Sequence, residues 1–123
     1  KEVPLSTASE PQVSSFLKEF KEIVTSGSGL LIIPRAAKNP TVTMLGLTKK
    51  TVELEILGLS VTDYSSGPVP DRDCPGELWI FGKEINGHEI YIKLKIAEIK
   101  DTKIAKCISF HEAEFSLKYP FKK

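Results

Sequence analysis

At 123 residues, 41% hydrophobic and 27% charged, the chain has the size and composition of one globular domain with a buried core, which excludes wholesale disorder. No apolar run approaches the ~18–20 residues of a membrane-crossing helix, and no signal-peptide pattern is present. The net charge of +1 excludes a surface coated in positive charge, yet residues 78–123 hold nine lysines against six acids while residues 1–77 hold eight bases against ten. Either a phosphate-bearing partner at the C-terminal half or solvated lysines on a sheet accounts for that gradient. Cys74 and Cys107 make no disulfide framework and read as free thiols of a cytosolic protein. With no CxxC and no HxxxH spacing, neither a metal site nor a cofactor is expected.

Residues 1–8 read as a flexible tail and residues 9–123 as the domain. "SEPQVSSFLKEFKEIVTSG" carries a helix signal, with Ser9 and Gln12 as a capping box and Pro11 in the first turn. Val13, Phe16, Leu17, Phe20, Ile23 and Val24 recur at helical spacing and form one apolar face. "GLLIIPR" predicts a short buried strand stopped by Pro34, and "RAAKNPT" a loop. "LGLTKKTVELEILGLS" predicts a second helix capped by Thr48, with Val52, Ile56 and Leu59 on one face, although its β-branched residues also suit a strand. Residues 60–76, rich in Pro, Gly and Asp, predict a long loop, either functional or a surface excursion.

A β-meander closes the chain. "LWIFGKEINGHEIYIKLKI" reads as two alternating strands about Asn86-Gly87, the favoured two-residue hairpin turn. That turn pairs Phe81 with Ile92 and Trp79 with Leu94, and puts Trp79, Phe81, Ile90, Ile92, Leu94 and Ile96 on the core face. Tyr91, Lys93 and Lys95 then face the other way. In "KIAKCISFH", burial of Ile104, Ile108 and Phe110 requires an odd-numbered turn, Lys100-Asp101-Thr102, because a one-residue slip reverses the faces. Phe110 falls opposite Ile92, His111 opposite Tyr91 and Ser109 opposite Lys93, with Cys107 on the same non-core face.

Patterning alone thus gathers a histidine, a tyrosine and a lysine on the polar face of a sheet. A polar face always carries something, and a satisfied histidine at a strand end is the plain alternative. The trio is nevertheless suited to cleaving RNA. His111 transfers a proton near neutral pH, Lys93 offsets anionic charge on a phosphorane, and Tyr91 stacks a base or orients a ribose. The 2′-hydroxyl would attack its own phosphate, a scheme that needs no cofactor. No GxSxG, P-loop or GxGxxG directs the reading elsewhere.

The order "LGLT…ILGLSVTDYSSGPVPD…LWIFGKEI…EIYIKLKI…KCISFHEAEFSLKYPF", over residues 42–121, resembles the MqsR (motility quorum-sensing regulator) toxins. The resemblance implies an α+β, RelE/ParE-like fold, a twisted antiparallel sheet packed by N-terminal helices. It also implies a cytoplasmic, metal-independent mRNA endonuclease held in check by a cognate antitoxin. Tyr91 matches the family's strand tyrosine, and His111 the basic residue that closes the last strand. Ser65 stands where the family pattern has a lysine, and Ile80 where it has a glutamine. Lys83 would complete the catalytic set with His111, Tyr91 and Lys93, while Arg35, Lys38 and Lys95 would bind substrate. The alternative is a non-catalytic module on the same fold that docks RNA or protein through the loop around Asp71, Arg72 and Asp73.

Overall fold

The computed structural model describes residues 7–122. Its elements run α1 (Glu10–Ser26), β1 (Leu30–Ile32), α2 (Pro34–Ala37), α3 (Pro40–Met44), α4 (Lys49–Leu57), a 3-10 turn (Val61–Asp63), β2 (Tyr64–Pro70), β3 (Glu77–Ile85), β4 (His88–Ile99) and β5 (Thr102–Glu112). This is an α+β protein. The strands form one sheet in the order β1-β5-β4-β3-β2, antiparallel except for β1, which lies parallel to β5.

Local chemistry explains the helices. Ser9 and Gln12 form the anticipated capping box, and Gly27 closes α1. Thr48 caps α4 with Thr51 in the third position. Val13, Phe16, Leu17, Phe20 and Val24 of α1 are buried, as are Val52, Ile56 and Leu59. Phe16 stacks on Trp79 with centroids 4.4 Å apart, and Tyr64 meets Phe81 edge-on at 6.0 Å. Phe81, Ile90, Ile92 and Leu94 are fully buried, while Trp79 and Ile96 pack at the margin of this core.

Several expectations need correction. Of the tail foreseen at 1–8, residues 1–6 lie outside the described residues. Thr7 bridges to Gly67, and Ala8 is buried with its N–H donating to the Tyr64 hydroxyl. "GLLIIPR" is a three-residue edge strand with Leu31 half-exposed, not a buried one. The loop foreseen at "RAAKNPT" contains α2 and the start of α3, because Pro34 and Pro40 each sit at a tolerant helical N-terminus and Asn39 caps α3. Residues 64–70 of the foreseen long loop form β2. As an edge strand with irregular register, β2 tolerates Pro68 and Pro70, which cannot donate to a ladder.

The β4–β5 turn is also different. Ile99 pairs with Thr102, leaving Lys100-Asp101 as a two-residue turn with φ of 49° and 66°. The extra residue appears instead at a bulge, where Lys93↔Ser109 is followed by Leu94↔Cys107 and Ile108 is left over. Before the bulge the faces are reversed from expectation. Ala105 and Cys107 are fully buried, whereas Ile104 and Ile108 are only partly so. Burial pushes the Cys107 thiol up to about 12. Beyond the bulge the expected pairing is restored: Ile92↔Phe110 and Tyr91↔His111.

Candidate functional site on the outer face of the sheet

The helix-covered face of β3–β5 is mostly apolar; the outer face carries most of the polar side chains. There, Tyr91 and His111 sit directly opposite each other, and their rings stack with centroids 5.1 Å apart and an interplanar angle of 16°. The Lys93 ammonium lies 5.7 Å from the Tyr91 ring centroid, within cation–π range, and Ser109 is its cross-strand neighbour. Burial raises the Tyr91 phenol above its ordinary value, so it stays protonated at neutral pH.

His111 has a defined tautomer. Its Nδ1 is 2.9 Å from the Glu112 carbonyl oxygen, which can only accept, so Nδ1 carries the hydrogen. In the neutral ring, Nε2 therefore keeps the lone pair. Among the described residues, no hydrogen bond engages Nε2. Glu112 turns the other way, its carboxylate 2.9 Å from His88 Nδ1. Glu114 reaches the site as part of its wall.

Two segments frame the stacked pair. On one side, the stretch after β5 recrosses the sheet. The Leu117 N–H and the Tyr119 hydroxyl both donate to Glu89, at 3.3 and 2.6 Å. Burial first, then this carboxylate, raises the Tyr119 phenol. The crossing is close: a Cβ at Gly82 would collide with Leu117 and the Tyr119 hydroxyl. Residues 114–117 thereby wall a cavity of about 360 Å³ floored by Tyr91, Lys93, Ser109 and His111.

On the other side stands the α2–α3 junction. The Asn39 amide donates to the Phe110 carbonyl at 2.6 Å, while its Oδ1 accepts from the Val42 N–H. The Glu112 N–H donates to the Thr41 hydroxyl at 2.9 Å. Residues 110 and 112 are thus both tied, and His111 between them is held in place. A second cavity of about 430 Å³ lies here, with Arg35, Asn39, Ser109 and His111 in its lining.

The residues singled out from sequence divide accordingly. Tyr91, Lys93 and His111 meet, and Arg35 lines the second cavity together with the same histidine. Lys95 lies on the same face but is only 2% exposed and bonded to Asp71 at 2.6 Å. That bond holds the Asp71 carboxyl below its ordinary 3.8, and it occupies one of the two carboxylates of the loop foreseen as a docking contact. Lys38 is exposed and lines none of these cavities. Lys83 does not join the site. It shares parity with Phe81, projects from the helix-covered face and pairs with Glu55 of α4 at 2.9 Å.

Asn39, Thr41 and Glu89 were not foreseen. The Asn39-Pro40 dipeptide is a recognisable helix-start signal, but nothing local shows that its amide reaches β5. Among the described residues no group of three or more His, Cys, Asp or Glu is placed to hold a metal ion, and no helix is long and apolar enough to cross a membrane. No protein-family model and no curated protein sequence matches the chain. Fold and site together define an α+β protein with a stacked histidine–tyrosine pair in an open, cation-flanked groove.

Proposed function

We propose that the chain is a metal-independent endoribonuclease, the toxin of a type II toxin–antitoxin pair on a RelE/ParE-like fold, acting on mRNA in the cytoplasm. The observation that carries this reading is the His111 imidazole, stacked on Tyr91 with no hydrogen bond at Nε2 among the described residues, and sharing one cavity with Lys93 and another with Arg35. His111 acts as the base. Nε2 takes the proton of a ribose 2′-hydroxyl as the oxygen attacks the adjacent phosphorus in line. Lys93 and Arg35 offset the charge on the phosphorane. The P–O5′ bond breaks on the far side, and the departing oxygen takes a proton from water. The products are a 2′,3′-cyclic phosphate and a 5′-hydroxyl, and the imidazolium returns its proton to solvent. Tyr91 stays neutral and fixes the plane of the imidazole.

The test uses purified protein and a synthetic RNA in the presence of EDTA, alongside the same strand carrying single 2′-deoxy substitutions. Cleavage to cyclic-phosphate ends, unaffected by EDTA and blocked by 2′-deoxy substitution at the scissile nucleotide, supports the reading. Intact RNA, or cleavage of the 2′-deoxy strand, overturns it. In cells, induction should arrest growth, and co-expression of the neighbouring gene in the operon should relieve the arrest if that gene encodes the antitoxin.

A further inference from the structure

Beyond the stacked pair, the outer face continues into a third cavity of about 600 Å³ whose lining includes Arg35, Arg72, Lys93, Lys95 and Lys106. Against these five cations stand Asp71 and Asp73, a local net of +3 in a chain whose total is +1. The rest of the chain is therefore net negative, and positive charge is concentrated here. The register sharpens the point. Lys106 of β5 lies directly opposite Lys95 of β4, a like-charge cross-strand pair of a kind that costs stability. Asp71 neutralises only Lys95. Among the described residues Arg35, Lys93 and Lys106 make no ion pair. The same cavity has apolar residues at both ends, Leu31, Ile33 and Ile108 toward β1 and Val69 and Leu78 toward β2, and Leu31 is 50% exposed. Lys93 belongs also to the cavity over Tyr91 and His111, and Arg35 to the one behind His111.

We infer that this groove is a second nucleotide subsite, seating an unpaired base against Leu31 and Ile108 at its β1 end while Lys106 and Arg72 hold the phosphate that follows. A flat apolar body bearing an anion matches the apolar β1 end and the cations beside it, and a base can enter only if it is free of a pairing partner. The substrate is accordingly single-stranded, extending from the scissile phosphate toward β1. This rests on the nuclease reading for its direction, but binding and cleavage separate experimentally.

The probe is a fluorescent single-stranded hexaribonucleotide, 2′-O-methylated throughout so that it cannot be cut, titrated by anisotropy against the full chain. Each cation engaged on a single strand adds about 0.7 to the slope of log affinity against log salt, roughly five-fold in affinity between 1 M and 0.1 M salt. Lys106→Gln and Arg72→Ala should each lose that increment, whereas Lys50→Ala on α4 should not. Leu31→Ser should weaken the intact hexamer more than one carrying an abasic nucleotide at the position seated in the groove. Unchanged slopes for both cation variants, equal competition by the duplex form, or displacement of the hexamer by an acidic peptide that binds the groove more tightly would each overturn the subsite. Cleavage of unmodified RNA indifferent to Lys106 would sink the subsite and leave the nuclease. Groove-dependent binding with no cleavage by wild-type protein would do the reverse.

Discussion

The two faces of this sheet are made by the same strands and obey opposite rules. On the inner face, Phe81, Ile90, Ile92, Leu94 and Phe110 are completely buried beneath the helices, and apolar area removed from water accounts for their placement. On the outer face, Tyr91, Lys93, Ser109 and His111 stay partly open, positioned by bonds from segments distant in sequence: Asn39 and Thr41 to β5, and Leu117 and Tyr119 to Glu89. The inner face is redundant, since many contacts share the load. The outer face depends on a few directional bonds. Damage should therefore register as lost stability on one side and as lost chemistry on the other.

The largest effect expected falls on the chemistry. His111→Ala should reduce RNA cleavage by about 10²–10⁴ if the imidazole transfers the proton, which is about 3–5.5 kcal/mol on the barrier, with little change in the urea midpoint. A variant that cleaves normally would remove His111 from the mechanism. Next comes Phe81→Ala, two strands and one face away, which should cost about 3–5 kcal/mol of stability as a buried aromatic is lost and its cavity only partly collapses. Its signature is a shifted urea midpoint at an unchanged slope. If instead His111→Ala unfolds the protein and Phe81→Ala is tolerated, the contrast between the faces is wrong.

How far each face can be read from sequence follows from the same contrast. Period-two alternation about Asn86-Gly87 is enough to pair Phe81 with Ile92 and to define the inner layer of β3 and β4. Parity also consigns Lys83 to that layer and so takes it off the outer face, but it does not reveal Glu55 of α4 as its partner. The Tyr91↔His111 pairing was legible by a partly mistaken route. A three-residue turn and a two-residue turn with one bulge add the same single residue, so both restore the same register at the strand end. Between turn and bulge they differ, which is why Cys107 rather than Ile108 is buried. Apolar character alone cannot locate a bulge. Nor can periodicity reveal the Asn39, Thr41 and Glu89 bonds, because each joins segments at least 28 residues apart.

Two smaller effects probe that long-range support. Asn39→Ala removes the α3 cap and the bond to the Phe110 carbonyl together, and should cost about 1–2 kcal/mol. Cleavage should fall further than this stability loss explains at temperatures where the variant is fully folded, because the segment bearing His111 is released. Equal cleavage at full folding would show that the α2–α3 junction supports the fold but not the site.

The smallest effect is expected at Asp71, which is followed by the exposed stretch 72–77. Removing its charge with Asp71→Asn leaves a nearly buried ammonium without its counter-ion, which destabilises the folded state at neutral pH. The sign with pH follows from linkage. The native carboxyl titrates below its ordinary 3.8, so its contribution is fully present above that value and is lost as the pH falls through the lowered native one. Melting temperatures of wild type and Asp71→Asn should therefore differ by a constant amount near neutrality and converge only in acid. A gap that closes between pH 6 and 8 would implicate another group, since the Asp71 carboxyl titrates below its ordinary value, far under that window.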